Sequence, residues 1–168
     1  KLDEIKSKKN IATTRSFAKN LTELEDLRER VSTFSSSCAE KLRKQKSACN
    51  AIMVFVHTNF HKKDQAQYSK NIVIQLPYAS NSDITISKYA IIGLEAIFKK
   101  GFAYKKAGVI VMGFVPENII QQNLFENENP KHKELMQTMD ALNLKMGKKN
   151  IKLASQNIPK TWVMRQEK

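Results

Sequence analysis

Few side chains in this sequence are both chemically capable and suitably spaced. His57 and His61 stand four apart, but the first falls in an extended run and the second in the polar stretch after it. Such a pair shares no common face, and no Asp, Glu or Cys joins it to complete a metal-ligand set. Glu126 and Glu128 lie in the wholly polar run Glu126-Asn127-Glu128-Asn129-Pro130, where solvated carboxylates are expected rather than acid–base catalysis. None of the five glycines falls in a phosphate-cradling pattern. Cys38 and Cys49 are too few for a disulfide framework, and Cys38 falls on the apolar face of a helical stretch. Buried free thiols in a reducing compartment are the expectation. No self-contained active site is visible, and no metal or cofactor is called for in this chain.

The chemistry that the sequence offers is recognition. Gln121-Gln122-Asn123-Leu124-Phe125 sits between Pro116-Glu117-Asn118, which interrupts a hydrophobic strand, and the polar run that ends at Pro130. Two large apolar side chains between such flanks have two readings. Leu124 and Phe125 can fold back onto their own domain. Alternatively the segment is a short linear peptide whose Leu124 and Phe125 anchor in an apolar pocket of a partner, with the Gln121 amide at its rim.

The charge favours a polyanionic partner. The 168 residues carry 29 Lys and Arg against 16 Asp and Glu, a net charge of +13. Residues 1–115 hold 20 of the bases and 10 of the acids, so most of the excess lies there. Neutralising phosphates with Lys and Arg drives non-specific nucleic-acid binding, and nucleic acid is the first expectation. A membrane surface would need a helix with a strong apolar face beside a basic one, which is not found. No apolar run approaches the ~20 residues of a membrane span. The chain opens on Lys1 without a signal-peptide pattern, as expected of a fragment or a processed chain.

The elements that must position these residues follow from periodicity. Residues 1–10, with Lys1, Lys6, Lys8 and Lys9, read as a basic linker. Ile11–Phe17 reads as a strand with Thr13, Arg15 and Phe17 on one side and Ala12, Thr14 and Ser16 on the other. Thr22-Glu23-Leu24-Glu25 is a capping-box pattern before a helix striped by Leu24, Leu27, Val31, Phe34, Cys38 and Leu42, with Arg43, Lys44 and Lys46 in its last turn. Asn50–Asn59 and Ser69–Leu76 read as strands joined by the polar loop 60–67, the second closed by Pro77. A helix over Asp83–Lys100 is ended by Gly101, and Tyr104–Phe114 is the last strand. Pro130–Met146 shows helical spacing with Gly147 as its stop, while Ile151–Ser155 and Thr161–Arg165 read as short strand-like pieces. The tail is too small for its own core and must dock on something or be truncated. The order β-α-β-β-α-β over 11–115 predicts an α+β, ferredoxin-like domain, a four-stranded antiparallel sheet with both helices on one face. Residues 116–130 form a flexible linker and 131–168 a small helix/strand extension.

Thr14-Arg15-Ser16-Phe17 before a helix, Tyr104-Lys105-Lys106-Ala107-Gly108-Val109 opening the last strand, and Gln121–Phe125 together resemble the C-terminal part of UmuC-type Y-family translesion DNA polymerases. The tail Leu135–Asn143, with Ser155-Gln156-Asn157 before Trp162, resembles the small extension of that subfamily. The resemblance implies that 11–115 is a little-finger domain, a non-catalytic DNA-binding region of an error-prone polymerase acting in DNA repair and SOS mutagenesis. It implies that Gln121, Asn123, Leu124 and Phe125 dock on a bacterial sliding clamp. The metal-binding carboxylates of the family lie in the palm, upstream of this chain, so Mg would serve the parent enzyme and not this piece. The implied partners are double-stranded template–primer DNA, the clamp, a UmuD-like accessory subunit and a recombinase, in the bacterial cytoplasm. If Ile52, Val54, Val56, Ile72, Ile74 and Leu76 face the helices, then Met53, Phe55, His57, Asn71, Val73 and Gln75 face DNA. By resemblance Thr14, Arg15, Ser16, Lys105 and Lys106 are phosphate contacts, joined by His57 and Gln75 from the sheet geometry. The alternative is a small ferredoxin-like RNA- or protein-binding module, for which Phe55, with Phe17 or Tyr104, would have to supply the stacking rings.

Overall fold

Odd-numbered residues of the first strand and even-numbered residues of the second and third alternate inward as their apolar pattern requires. The computed structural model of the chain describes residues 9–119, 129–147 and 151–156. Its elements are β1 (Ile11–Leu21), α1 (Leu24–Lys44), β2 (Ser47–Thr58), β3 (Ser69–Ser80), α2 (Asp83–Ile97), β4 (Tyr104–Pro116), a 3-10 turn at Glu117–Ile119, and α3 (Pro130–Met146). The β-α-β-β-α-β order of an α+β domain is present, with all pairings antiparallel. The sheet order is β1-β4-β2-β3, so β4 and β2 are central and β1 and β3 are edges.

The core lies between the helices and one face of the sheet. Leu27, Val31, Phe34, Cys38 and Leu42 of α1 and Ile86, Ala90, Leu94 and Ile97 of α2 close over Ile52, Val54, Val56, Val109 and Val111. Burying each of the Leu, Val, Ile and Phe side chains among these is worth about 1.5–3 kcal/mol. Both cysteines are buried and form no disulfide, and burial pushes the Cys38 thiol up, with the Thr13 hydroxyl opposing.

Several boundaries differ from the sequence expectation, each for a local reason. β1 continues past Phe17 to Leu21 through a register shift between Ser16 and Leu21. β3 continues past Pro77 to Ser80. As an edge strand it loses no ladder bond that Pro77 would have to donate on its open side. α2 stops at Ile97, where Phe98 turns extended (φ −64°, ψ 133°). Gly101, at φ +95°, shapes the following loop rather than capping the helix. The capping box does not form: Glu23 is the N-cap of α1 without a side-chain cap, and the Thr22 hydroxyl bonds the Glu23 carboxylate instead. Lys46 lies beyond α1, at φ +54°. Residues 151–156 form bends and turns, not a strand, while Thr161–Arg165 lie outside the described residues.

α3 docks on the helix side. Met136 and Met139 are buried, the Asn129 side chain caps its first turn, and Gly147 (φ +96°) follows its end. The joint is polar. Arg43 of α1 donates two bonds to Asp140 of α3 (2.6 and 2.8 Å), one to Asp83 of α2 (2.6 Å) and one to the Asn81 carbonyl (2.8 Å). Burial opposes the Arg43 charge, but Asp140 and Asp83 outweigh it and raise its pKa. Burial pushes Asp83 up, against the pull of Arg43 and the Ser36 hydroxyl. The hydroxyls of Ser32 and Ser155 meet at 2.6 Å, and a cavity of about 340 Å³ opens beside Arg43, Asp140 and Ile151.

Candidate nucleic-acid interface

With α1 and α2 on one face, the other face of the sheet is left open by the helices of the described residues. Register converts its strands into rows of neighbouring side chains. Ser16, Lys106, His57 and Ser69 form one row; Thr14, Gly108, Phe55 and Asn71 form the next. Ala12, Ile110, Met53 and Val73 follow, and then Met112, Ala51 and Gln75. No position in these rows is acidic, so a phosphate backbone laid across them meets no repulsive carboxylate from the face itself.

Close approach to this face depends on Gly108. A Cβ there would stand 2.5 and 2.6 Å from two ring carbons of Phe55 and 2.6 Å from the Thr14 methyl. Glycine therefore lets Phe55 lie flat across the central strand and keeps the middle of the face low.

The structure gathers some of the nominated residues and separates others. Ser16 and Thr14 lie on the open face, Ser16 exposed and Thr14 half-buried, with Lys106 and His57 continuing the Ser16 row. The His57 Nδ1 donates to the Thr58 carbonyl (2.8 Å), since a carbonyl can only accept. Arg15 has the inward parity of Thr13 and Phe17, and its Nη1 bonds the Thr14 carbonyl (2.7 Å). As β1 is an edge, its guanidinium stays partly in solvent. Lys105 sits where β4 shifts register against both neighbours, and its ammonium donates to the Phe17 carbonyl (2.6 Å). This shift lets Tyr104 turn inward with Ala107 and Val109 and bond Lys99 through its hydroxyl. Gln75 is exposed on the face, six residues of strand away from the row of His57, or about 20 Å. Gln121, Asn123, Leu124 and Phe125 lie outside the described residues.

Phe17 and Tyr104 are buried on the helix side, so neither is a stacking ring, contrary to the sequence alternative. Sequence reasoning missed Phe60, which stands exposed in the β2–β3 loop against His57. Its signal was a lone aromatic residue at the start of an otherwise polar loop.

Comparison with known proteins supplies the lineage. Residues 8–124 match the impB/mucB/samB family C-terminal domain, well over half of the chain. The chain belongs to the impB/mucB/samB family. Residues 133–168, taking in most of α3, match a domain of unknown function, DUF4113. Protein UmuC of Salmonella typhimurium (strain LT2) is 31% identical over 163 residues, covering 96% of this chain and 39% of that protein. Protein MucB of Escherichia coli is 31% identical over the same length, covering 96% and 38%. The chain thus spans about two fifths of the length of these relatives. A solved structure, the insertion ternary complex of Dbh DNA polymerase, superposes with a TM-score of 0.48 at 10% identity, covering 64% of this chain and 29% of that one. That likeness is too slight to add to the family assignment.

Proposed function

We propose that this chain is the non-catalytic DNA-binding and clamp-docking region of an error-prone translesion DNA polymerase that acts in DNA damage repair and SOS mutagenesis. The observation that carries the reading is the open sheet face of a family domain. It is free of acids, low at Gly108, and furnished with Thr14, Ser16 and Lys106 in adjacent rows. Hydroxyls and a lysine on a flat sheet suit the phosphates of a template–primer duplex and carry no code for base edges. Binding is therefore sequence-independent and steeply salt-dependent. Polymerisation, with Mg held by carboxylates, would belong to a part of the parent protein not contained in this chain.

The Gln121–Phe125 segment is the tether in this reading. Leu124 and Phe125 would each bury about 1.5–3 kcal/mol of apolar surface in a bacterial sliding clamp. Acting alongside DNA binding, a weak peptide gains through effective concentration. A UmuD-like accessory subunit and a recombinase are further partners of the parent on this reading, in the bacterial cytoplasm.

Anisotropy titration of a labelled random-sequence duplex tests the first half. Affinity should fall linearly with salt on logarithmic axes and be indifferent to sequence. No duplex binding at low salt would overturn it. Titration against a bacterial sliding clamp tests the second half: saturable binding should be lost in Leu124→Ala/Phe125→Ala, and binding unaffected by that double substitution would refute the tether.

A further inference from the structure

The hairpin end of the open face carries a series of rings that runs beyond the phosphate rows to Phe60. His57 and Phe60 stack with centroids 4.5 Å apart and planes 17° apart. Phe55 continues the series, 6.4 Å from His57 at 15°. Phe60 is 56% exposed and is the one ring among the exposed large apolar side chains of the described residues.

The loop is built to hold that ring in place. The Gln67 amide nitrogen reaches the carbonyls of Asn59, Lys62 and Gln65 at 3.0, 2.9 and 3.2 Å, while its oxygen accepts from the Thr58 hydroxyl at 3.1 Å. The Asn59 side chain accepts from the His61 amide at 3.0 Å. The bond from His57 Nδ1 to the Thr58 carbonyl fixes the orientation of the ring beneath Phe60. Exposed Lys62 and Lys63 follow Phe60, Lys106 lies beside His57 in the sheet, and Asp64 is the single acid of the loop.

We propose that Phe60, backed by His57 and Phe55, is a stacking platform for an unpaired base of single-stranded DNA, whose phosphates meet Lys62 and Lys63. A base in a duplex is already stacked on both sides, whereas an unpaired base has a free π face, and stacking accepts any base. One face of Phe60 is taken by His57, which leaves the other for the ligand. The lysines and the parallel series of rings favour a flat, anionic ligand over an apolar protein pocket. The inference rests on the reading that this face meets DNA: duplex lies across the Ser16 and Thr14 rows, and a single-stranded continuation reaches the hairpin.

The test titrates the 168-residue chain and its Phe60→Ala and Phe60→Trp forms with a labelled single-stranded oligonucleotide and, separately, with a duplex. Phe60 lies in an exposed loop, and circular dichroism confirms that the variants fold. Phe60→Ala should weaken single-strand binding roughly five- to hundredfold, the range of one lost stacking contact. It should leave duplex binding within about twofold, as expected of a residue outside the phosphate rows. Phe60→Trp should retain binding and show indole quenching, on adding the single strand, beyond that of the parent chain. Single-strand binding unchanged in Phe60→Ala overturns the platform and leaves the duplex reading standing. Single-strand binding sensitive to Phe60 without duplex binding upholds the platform and overturns the duplex reading. No binding to either overturns both.

Discussion

Replacing Arg43 with Met would test how the extension and the two core helices are joined. Arg43 is 11% exposed and bonds Asp83, itself 7% exposed, and Asp140, 37% exposed. Met retains much of the apolar stem and removes the charge together with the bonds it donates to Asp83, Asp140 and the Asn81 carbonyl. Asp83 then keeps its place at the N-terminus of α2 but loses its cation. Removing one partner of a buried ion pair costs about 3–5 kcal/mol, and the low end is expected because Asp83 remains in the first turn of α2, where the helix dipole favours an anion. About 3 kcal/mol corresponds to roughly 6–12 °C in Tm for a chain of this size. Asp140 is much more open to solvent, so Asp140→Asn should cost only about 1 kcal/mol.

The loss should depend on pH in a defined direction. A carboxyl whose folded pKa is raised binds protons more readily in the native state than in the unfolded one. Stability then falls as pH rises from the unfolded value through the folded one. Burial already raises Asp83, and without Arg43 it rises further, so Arg43→Met should lose less at pH 4.5 than at pH 7. Arg43 itself, held above its ordinary value, stays charged throughout that window. Urea melts followed by far-UV circular dichroism at both pH values measure this. Arg43→Met/Asp83→Asn should recover most of the deficit at pH 7. A loss under about 1 kcal/mol at pH 7, against the several expected for a broken buried pair, would refute the reasoning. So would a loss equal at the two pH values.

Gly108→Ala should destabilise by about 1–3 kcal/mol, because its Cβ overlaps the Phe55 ring and the Thr14 methyl. Combining it with Phe55→Ala should show favourable coupling in a double-mutant cycle, measured by the same urea melts. Lys106→Ala should weaken duplex binding uniformly across sequences and lower the salt slope by about one, as loss of one phosphate contact requires, measured by anisotropy over a salt series. Cys38 should resist Ellman's reagent in the native chain at pH 8 and react promptly in urea, because burial both shields its thiol and raises its pKa.

The elements were legible because their patterns are local. The α1 stripe from Leu24 to Leu42 and the alternation of Ile52, Val54 and Val56 state their periods without reference to anything distant. The same patterns told inward from outward residues, so Met53, Phe55, His57, Asn71 and Gln75 were placed on the open face before any pairing was known. Ends were less legible. Pro77 reads as a strand terminator unless its strand is known to be an edge, and Gly101 reads as a cap although the chain has already left the helix at Phe98.

The sequence alone therefore determined the β-α-β-β-α-β order, the buried face, the excess of positive charge and the lineage motifs, since each is a property of neighbours along the chain. Tertiary structure decided the strand order β1-β4-β2-β3, and with it which residues share a row. Only pairing brings Ser16, Lys106 and His57 side by side across more than forty residues of chain each way. Only pairing lays Phe55 over Gly108, and only the packing of α3 makes Arg43 the shared partner of Asp83 and Asp140. Lys105 shows the same limit from the other side. The resemblance nominates it as a phosphate contact, and only a register shift that depends on both neighbouring strands sets its ammonium within a bond of the Phe17 carbonyl. Residue type carries the capacity for an interaction, and the geometry of distant neighbours decides where it is used.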